Sequence, residues 1–307
     1  RKALAPLSWW TGRVAGARRL ELKRVIGAGA SSQIFEAKFN NEPVAAKQYL
    51  LHDAAGLERM RVECLILDRI RHPNIVGHFG ICASPHEGLA YVILELMDVS
   101  LEDLLFSSSR PVYDRMTERD RVLVCLDTAR AVAHLHAQSP PIAHRDVKPG
   151  NVLLSLTTLE AKLSDFGLAK VLRPDEDAAG HDVVGTPAYV APEVLRGGAF
   201  TCGADVFSLA VCIHEVFTGE RLITGSSSGA LLAKALSLSQ TTGAISDSIP
   251  PGLDPLLSAA LGEREGRPPA GELRDFLDDY VEITDDTSIS DLSKSSTDGR
   301  ANAGSNT

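Results

Sequence analysis

His144-Arg145-Asp146-Val147-Lys148-Pro149-Gly150-Asn151, followed fourteen residues after Asn151 by Asp165-Phe166-Gly167, is the stretch around which the chain is arranged. An acid, a lysine and an amide lie within six positions, and Pro149-Gly150 breaks any helix there, so they sit on a loop. Val152-Leu153-Leu154 and Ala161-Lys162-Leu163 are apolar runs of strand length, so the second acid opens just past an expected hairpin. Two loops thus converge on one site. A lone Asp-Phe-Gly or a lone His-Arg-Asp is more often a solvated turn than a site. Both together, in this order and with the lysine and asparagine in register, make coincidence a poor account.

These residue types suit transfer of a phosphoryl group from a nucleotide. That chemistry needs positioning, metal ions that neutralise charge, and a carboxylate that orients the incoming hydroxyl. The two runs closely resemble the catalytic segments of the protein kinase family. On that resemblance Asp146 orients the substrate hydroxyl and Lys148 faces the moving phosphate. Asn151 and Asp165 hold Mg²⁺ through hard oxygen ligands.

The chain has 307 residues, 44% of them hydrophobic, enough to build a core. Its net charge of −9 offers no general attraction to nucleic acid or to an acidic membrane, so protein and small-molecule partners come first. Cys64, Cys82, Cys125, Cys202 and Cys212 are odd in number and never spaced Cys-x-x-Cys. They read as small core residues in a reducing compartment, one of them a redox sensor at most. No apolar run approaches eighteen residues and no signal peptide opens the chain, so we expect a cytosolic or nuclear protein without a membrane segment. Because the chain opens at Arg1, a targeting segment or further domain can precede it.

Residues 1–18, with Trp9 and Trp10, show no clear period and are taken as a flank whose tryptophans pack on the domain or on a neighbour. From Arg19, Leu20 and Leu22 alternate with polar residues, and Val25-Ile26 lead into Gly27-Ala28-Gly29-Ala30-Ser31-Ser32-Gln33-Ile34. Glycines in such a turn let the backbone approach phosphates. Alone the pattern is weak, but followed by Ala45-Ala46-Lys47 it resembles the kinase glycine-rich loop, with Ser32 where the family has a third glycine. Strands are expected over Ile34 to Phe39 and Pro43 to Lys47, turned by Asn40-Asn41. Leu57, Met60, Cys64 and Leu67 mark the buried face of a helix, which Glu63 borders. Further strands are expected over Ile75 to Ile81 and Ala90 to Leu94.

The resemblance implies that Ile26, Gly27, Ala28, Gly29, Ile34, Ala45, Leu94, Glu95, Met97 and Leu153 surround ATP. In it Lys47 contacts the α- and β-phosphates and pairs with Glu63, while the backbone N–H and C=O groups of Glu95 and Met97 meet adenine. Past this hinge, Val122, Leu126, Ala129 and Ala133 form one face of a helix ending near Leu135.

Gly185-Thr186-Pro187-Ala188-Tyr189-Val190-Ala191-Pro192-Glu193 resembles the end of an activation segment, and Thr186 with Lys148 matches the serine/threonine-directed pattern. Leu168 to Gly185 contains no Ser, Thr or Tyr but does contain Asp175, Glu176, Asp177 and Asp182. Asp182 is either a permanent stand-in for an activating phosphate, facing Arg145, or an ordinary solvated acid. Asp205 opens an apolar helix that stops at Gly219 and, in the family, anchors the catalytic-loop backbone. Arg267 matches the arginine that pairs with Glu193, and Leu273, Phe276, Leu277 and Tyr280 belong to a final helix.

The resemblance covers residues 19–283 and implies an α+β, two-lobed fold. Its N-lobe (19–94) is a small antiparallel five-stranded sheet with one helix, joined through a hinge (95–98) to a larger, mainly helical C-lobe (99–283). Residues 284–307, rich in Ser, Thr, Asp, Gly and Asn, read as a disordered tail. The implied activity is serine/threonine protein phosphorylation in intracellular signalling, with ATP and Mg²⁺ as cofactors, a protein substrate and no nucleic-acid partner. Tyrosine-kinase-like or plant receptor-like groups are the suggested branches. The alternative is a nucleotide-binding pseudokinase acting as a scaffold.

Overall fold

Asn40 and Asn41 take positive φ angles of 53° and 71° and return the chain between two strands in register from Phe39 and Glu42 onward. Asparagine tolerates the left-handed region that such a two-residue turn requires. This hairpin is the centre of the first lobe in a computed structural model that describes residues 14–16, 19–28, 33–84, 86–173, 184–239, 246–250 and 252–283. The sheet is built from β1 (Val14–Gly16), β2 (Leu20–Ala28), β3 (Gln33–Phe39), β4 (Glu42–Leu50), β5 (His78–Ser84) and β6 (Leu89–Leu94), in the order β1-β5-β6-β4-β3-β2.

The five strands from β2 to β6 are the expected antiparallel set. To them β1 adds in parallel on the free edge of β5, with Val14 opposite Ile81. Three residues of the supposed flank therefore belong to the sheet. Edge pairing uses backbone groups, and a three-residue strand is too short to display alternation.

Helix α1 (Ala54–Arg69) opens where the Asp53 carboxylate accepts the Ala55 N–H. Met60, Cys64 and Leu67 are buried beneath it as the spacing requires, while Leu57 is only partly covered. The strand expected from Ile75 starts three residues later. Ile75 instead bridges Leu163, with Leu163 N–H donating to Asn74 C=O at 2.8 Å and Val76 N–H to Leu163 C=O at 3.0 Å. An apolar run can be extended without joining the nearest sheet, and this one stitches the two lobes.

The second lobe contains β7 (Val99–Ser100), α2 (Leu101–Phe106), α3 (Glu118–His136), β8 (Ile142–Ala143), β9 (Val152–Leu154), β10 (Ala161–Leu163) and β11 (Lys170–Val171). It continues with α4 (Pro192–Leu195), α5 (Cys202–Thr218), α6 (Ser228–Ser239), α7 (Leu253–Leu261) and α8 (270–283). A capping box between Thr117 and Asp120 starts α3, and its Val122, Leu126, Ala129 and Ala133 face the core. Helix α5 is buried on every face through Phe217 and ends at Gly219, whose φ of 68° suits glycine. Glu193 and Arg267 form a two-bond ion pair at 2.5 and 2.9 Å. The five cysteines are free thiols. Among the described residues no helix is long and apolar enough to cross a membrane.

Candidate active site

The loop that runs from His144 to Asn151 leaves β8 and is gripped by the start of α5. The Asp205 carboxylate accepts the backbone N–H groups of His144 at 2.7 Å and Arg145 at 2.9 Å, and Oδ2 also meets His136 Nε2 at 3.0 Å. Arg145 sits at a φ of 69°, a conformation that persists for a long side chain only when its surroundings over-determine it. His144 is buried with its ring edge-on to Phe166. Its Nδ1 accepts the Asp146 N–H, so the other ring nitrogen is the one that donates to Ser164 C=O.

These anchors present Asp146 to a cluster of donors. Asn151 Nδ2 donates to its Oδ2 at 2.9 Å and to its carbonyl at 2.8 Å. The Thr186 N–H and hydroxyl both donate to Oδ1 at 2.9 Å. Lys148 Nζ closes the group, 2.8 Å from Asp146 Oδ2 and donating to Thr186 Oγ1 at 2.6 Å. A carboxylate accepting from lysine, amide and threonine at once has its orientation determined.

Across the cleft, β4 carries Lys47 inward; β4 is the fourth strand because β1 precedes the expected set. Lys47 Nζ lies 3.0 Å from both Glu63 oxygens and donates to Asp165 Oδ1 at 2.8 Å. Burial alone would lower the lysine's pKa, but Glu63 and then Asp165 outweigh it, so the ammonium is held well above its ordinary range. The same contact works the other way on Asp165. Enclosure between the cleft walls pushes that carboxyl up even though its side chain still faces the open cleft, the charge of Lys47 and its hydrogen bond pull it down, and the result is about 2.

Between the lobes lies a cleft of about 740 Å³ lined by Ile26, Gly27, Ala28, Ile34, Ala45, Lys47, Leu94, Met97 and Leu153, with Asn151 and Asp165 at its inner end. Gly29 of the same expected set, the departure at Ser32, the acids Asp175, Glu176, Asp177 and Asp182, the Trp9-Trp10 pair and the tail 284–307 lie outside the described residues. One expectation is corrected. The Glu95 N–H is already donated to Gly77 C=O at 2.9 Å, so only its carbonyl is left to meet a ligand. Its side chain braces the hinge, accepting from Gly77 N–H at 3.0 Å and pairing with Lys162 at 2.7 Å.

The inner end suits a magnesium ion. Asn151 spends its amide N–H groups on Asp146, which leaves Oδ1 as a hard oxygen donor, and the Asp165 carboxylate is half exposed to the same cleft. Among the described residues no group of three or more His, Cys, Asp or Glu is placed to hold a metal. Two protein oxygens supplemented by phosphate is the donor set that Mg²⁺ commonly accepts.

Sequence reading missed several participants. Val76 lines the cleft. Tyr49 donates its hydroxyl to Glu63 Oε2 at 2.7 Å; its mark in the sequence is its position two residues after Lys47, on the same face of the strand. Finally, Tyr189 donates to Glu215 Oε2 at 2.8 Å and meets Arg221, which also pairs with Glu102 at 2.5 Å. Burial pushes the Glu215 carboxyl up to about 7 against the opposing hydrogen bonds from Tyr189 and Leu222 and the charge of Arg221.

Comparison with known proteins agrees with this geometry. The family model described as "Protein kinase domain" matches residues 20–279. A receptor-like serine/threonine-protein kinase of Arabidopsis thaliana is 35% identical over 64% of this chain and 45% of its own length. The L-type lectin-domain containing receptor kinase V.7 of the same plant is 34% identical over 66% of this chain and 31% of its own. A leucine-rich repeat receptor-like serine/threonine-protein kinase, also from Arabidopsis thaliana, is 31% identical over 78% of this chain and 27% of its own. The chain thus spans less than half the length of these curated relatives. With the match to the family model running from β2 into α8, the chain belongs to the protein kinase domain family.

Proposed function

We propose that this domain transfers the γ-phosphate of Mg²⁺-ATP to serine and threonine hydroxyls of proteins. The observation that carries the reading is Lys148, whose ammonium touches both Asp146 and Thr186. A cation and a carboxylate side by side, both met by one threonine, support a site at which a hydroxyl and a phosphate would be brought together.

In this reading Asp146 accepts the substrate hydroxyl proton as the hydroxyl oxygen bonds to the γ-phosphorus. The bond from that phosphorus to the β–γ bridging oxygen breaks, and ADP leaves with the electron pair. Lys148 offsets charge on the moving group, and Lys47, held by Glu63, orients the α- and β-phosphates. Leu94, Ala45, Ile34 and Leu153 supply apolar walls for adenine, with the Glu95 carbonyl and the Met97 backbone as hydrogen-bonding groups. Mg²⁺ held by Asn151 and Asp165 would neutralise phosphate charge. The relatives' printed names support the serine/threonine direction. Five free cysteines suit a reducing intracellular compartment, and the setting we propose is signalling in the cytosol or nucleus.

The test is γ-phosphate transfer to generic protein acceptors, with identification of the phosphorylated residue type and Asp165→Asn as control. Transfer to serine and threonine that vanishes in the control is the expected result. Mg²⁺-ATP binding without transfer would turn the reading toward a pseudokinase scaffold, and transfer to tyrosine alone would overturn the hydroxyl class.

A further inference from the structure

Glu63 is a carboxylate with no solvent exposure, carried on α1 against β4. Burying such a charge is costly unless its lone pairs find donors. Lys47 Nζ supplies two contacts at 3.0 Å, and the Tyr49 hydroxyl supplies a third and shorter one at 2.7 Å. The ammonium also lies 5.6 Å from the Tyr49 ring centroid, so the three side chains form one packed unit.

The two donors differ in what they are free to do. The three N–H bonds of Lys47 serve Glu63 and Asp165, and in the phosphotransfer reading some of them must turn toward a phosphate. Tyr49 is 2% exposed and does not line the cleft, so no ligand competes for its hydroxyl. Burial, and then the nearby Glu63 charge, keep that hydroxyl protonated and therefore a donor. We propose that Tyr49 is a positioning residue, its hydroxyl holding Glu63, and with it α1, against β4 while Lys47 shares its protons with a phosphate. The inference rests on the phosphotransfer reading for the ligand that Lys47 meets, but the hold on α1 can be measured without any ligand.

Tyr49→Phe removes one oxygen and keeps the ring. With Mg²⁺-ATP we expect it to lower kcat/KM for ATP about tenfold, the loss of one hydrogen bond to a buried charge, with the melting temperature only about 2–5 °C below wild type and the domain still folded. Combined with Glu63→Ala it should cost no more than Glu63→Ala alone, because without an acceptor at position 63 the Tyr49 hydroxyl has no link left to lose. Amide hydrogen exchange should quicken about tenfold along α1 in Tyr49→Phe and stay unchanged in α5. Additive losses in the double variant, or unchanged exchange in α1, would overturn the proposal and leave Tyr49 a packing residue. Absence of transfer by the wild-type domain would sink the phosphotransfer reading alone, since exchange in α1 still decides for or against Tyr49.

Discussion

The Asp205 carboxylate at the start of α5 accepts the backbone N–H of His144 at 2.7 Å, tying the most buried helix of the second lobe to the loop that carries Asp146. A second bond, to Arg145 N–H at 2.9 Å, holds a residue with positive φ. Removing the carboxylate strands two donors and releases that conformation. Asp205→Ala should therefore cost about 2–4 kcal/mol of unfolding free energy, read from the urea midpoint. A loss below 1 kcal/mol would mean that other groups hold the loop.

Thr186 meets Asp146 through both its N–H and its hydroxyl, and receives Lys148. Thr186→Ser keeps every one of these contacts, whereas Thr186→Ala keeps only the backbone one. In the phosphotransfer reading the alanine variant should lose about a hundredfold in kcat and the serine variant less than threefold, with the fold intact in both. Equal losses in the two variants would remove the hydroxyl from the mechanism.

Gly185 has a φ of 100°, and a Cβ added there would lie 2.6 Å from the Arg145 carbonyl oxygen. That neighbour is backbone held by Asp205 and cannot yield cheaply. Gly185→Ala should shift Thr186 off Asp146, with a strain of about 2 kcal/mol or more at this one residue and, in the phosphotransfer reading, a matching fall in kcat. A fully active Gly185→Ala variant would refute the close approach.

Glu215 titrates near 7 in the folded domain against an ordinary value of 4.5. The folded-state value is raised, so the contribution of its neutral form is fully present below pH 4.5 and is lost as pH rises through about 7. Over that window the wild type should give up about 3 kcal/mol through this carboxyl. Glu215→Gln lacks the titration, so the wild-type stability relative to the variant should fall by that amount between pH 4.5 and 8. Other titrating groups cancel in the comparison, and parallel stability curves would show that Glu215 ionises normally.

Local features are legible in the sequence. The Asn40-Asn41 turn, the face of α3, the hairpin of β9 with β10 and the two acid-bearing loops depend on φ preferences, on periods of 2 and 3.6, and on short spacings that lie in the chain itself. The partners of Glu193 and Asp205 came from the resemblance, and the structure places both.

Contacts through space were settled only by the tertiary structure. Lys47 and Asp165 are 118 positions apart and meet at 2.8 Å because α1 and the two lobes close around them. Val14–Gly16 joins the sheet through backbone groups that any sequence carries, and the Glu95 N–H is spent on a carbonyl that no side-chain pattern advertises. Tyr49 would pass for a core aromatic until the buried carboxylate beside it is seen to need a third donor. Sequence alone determines which chemical groups exist and which face of an element they occupy. Which of them satisfies a buried charge or an open backbone edge is decided by desolvation and proximity, and those exist only once the chain has packed.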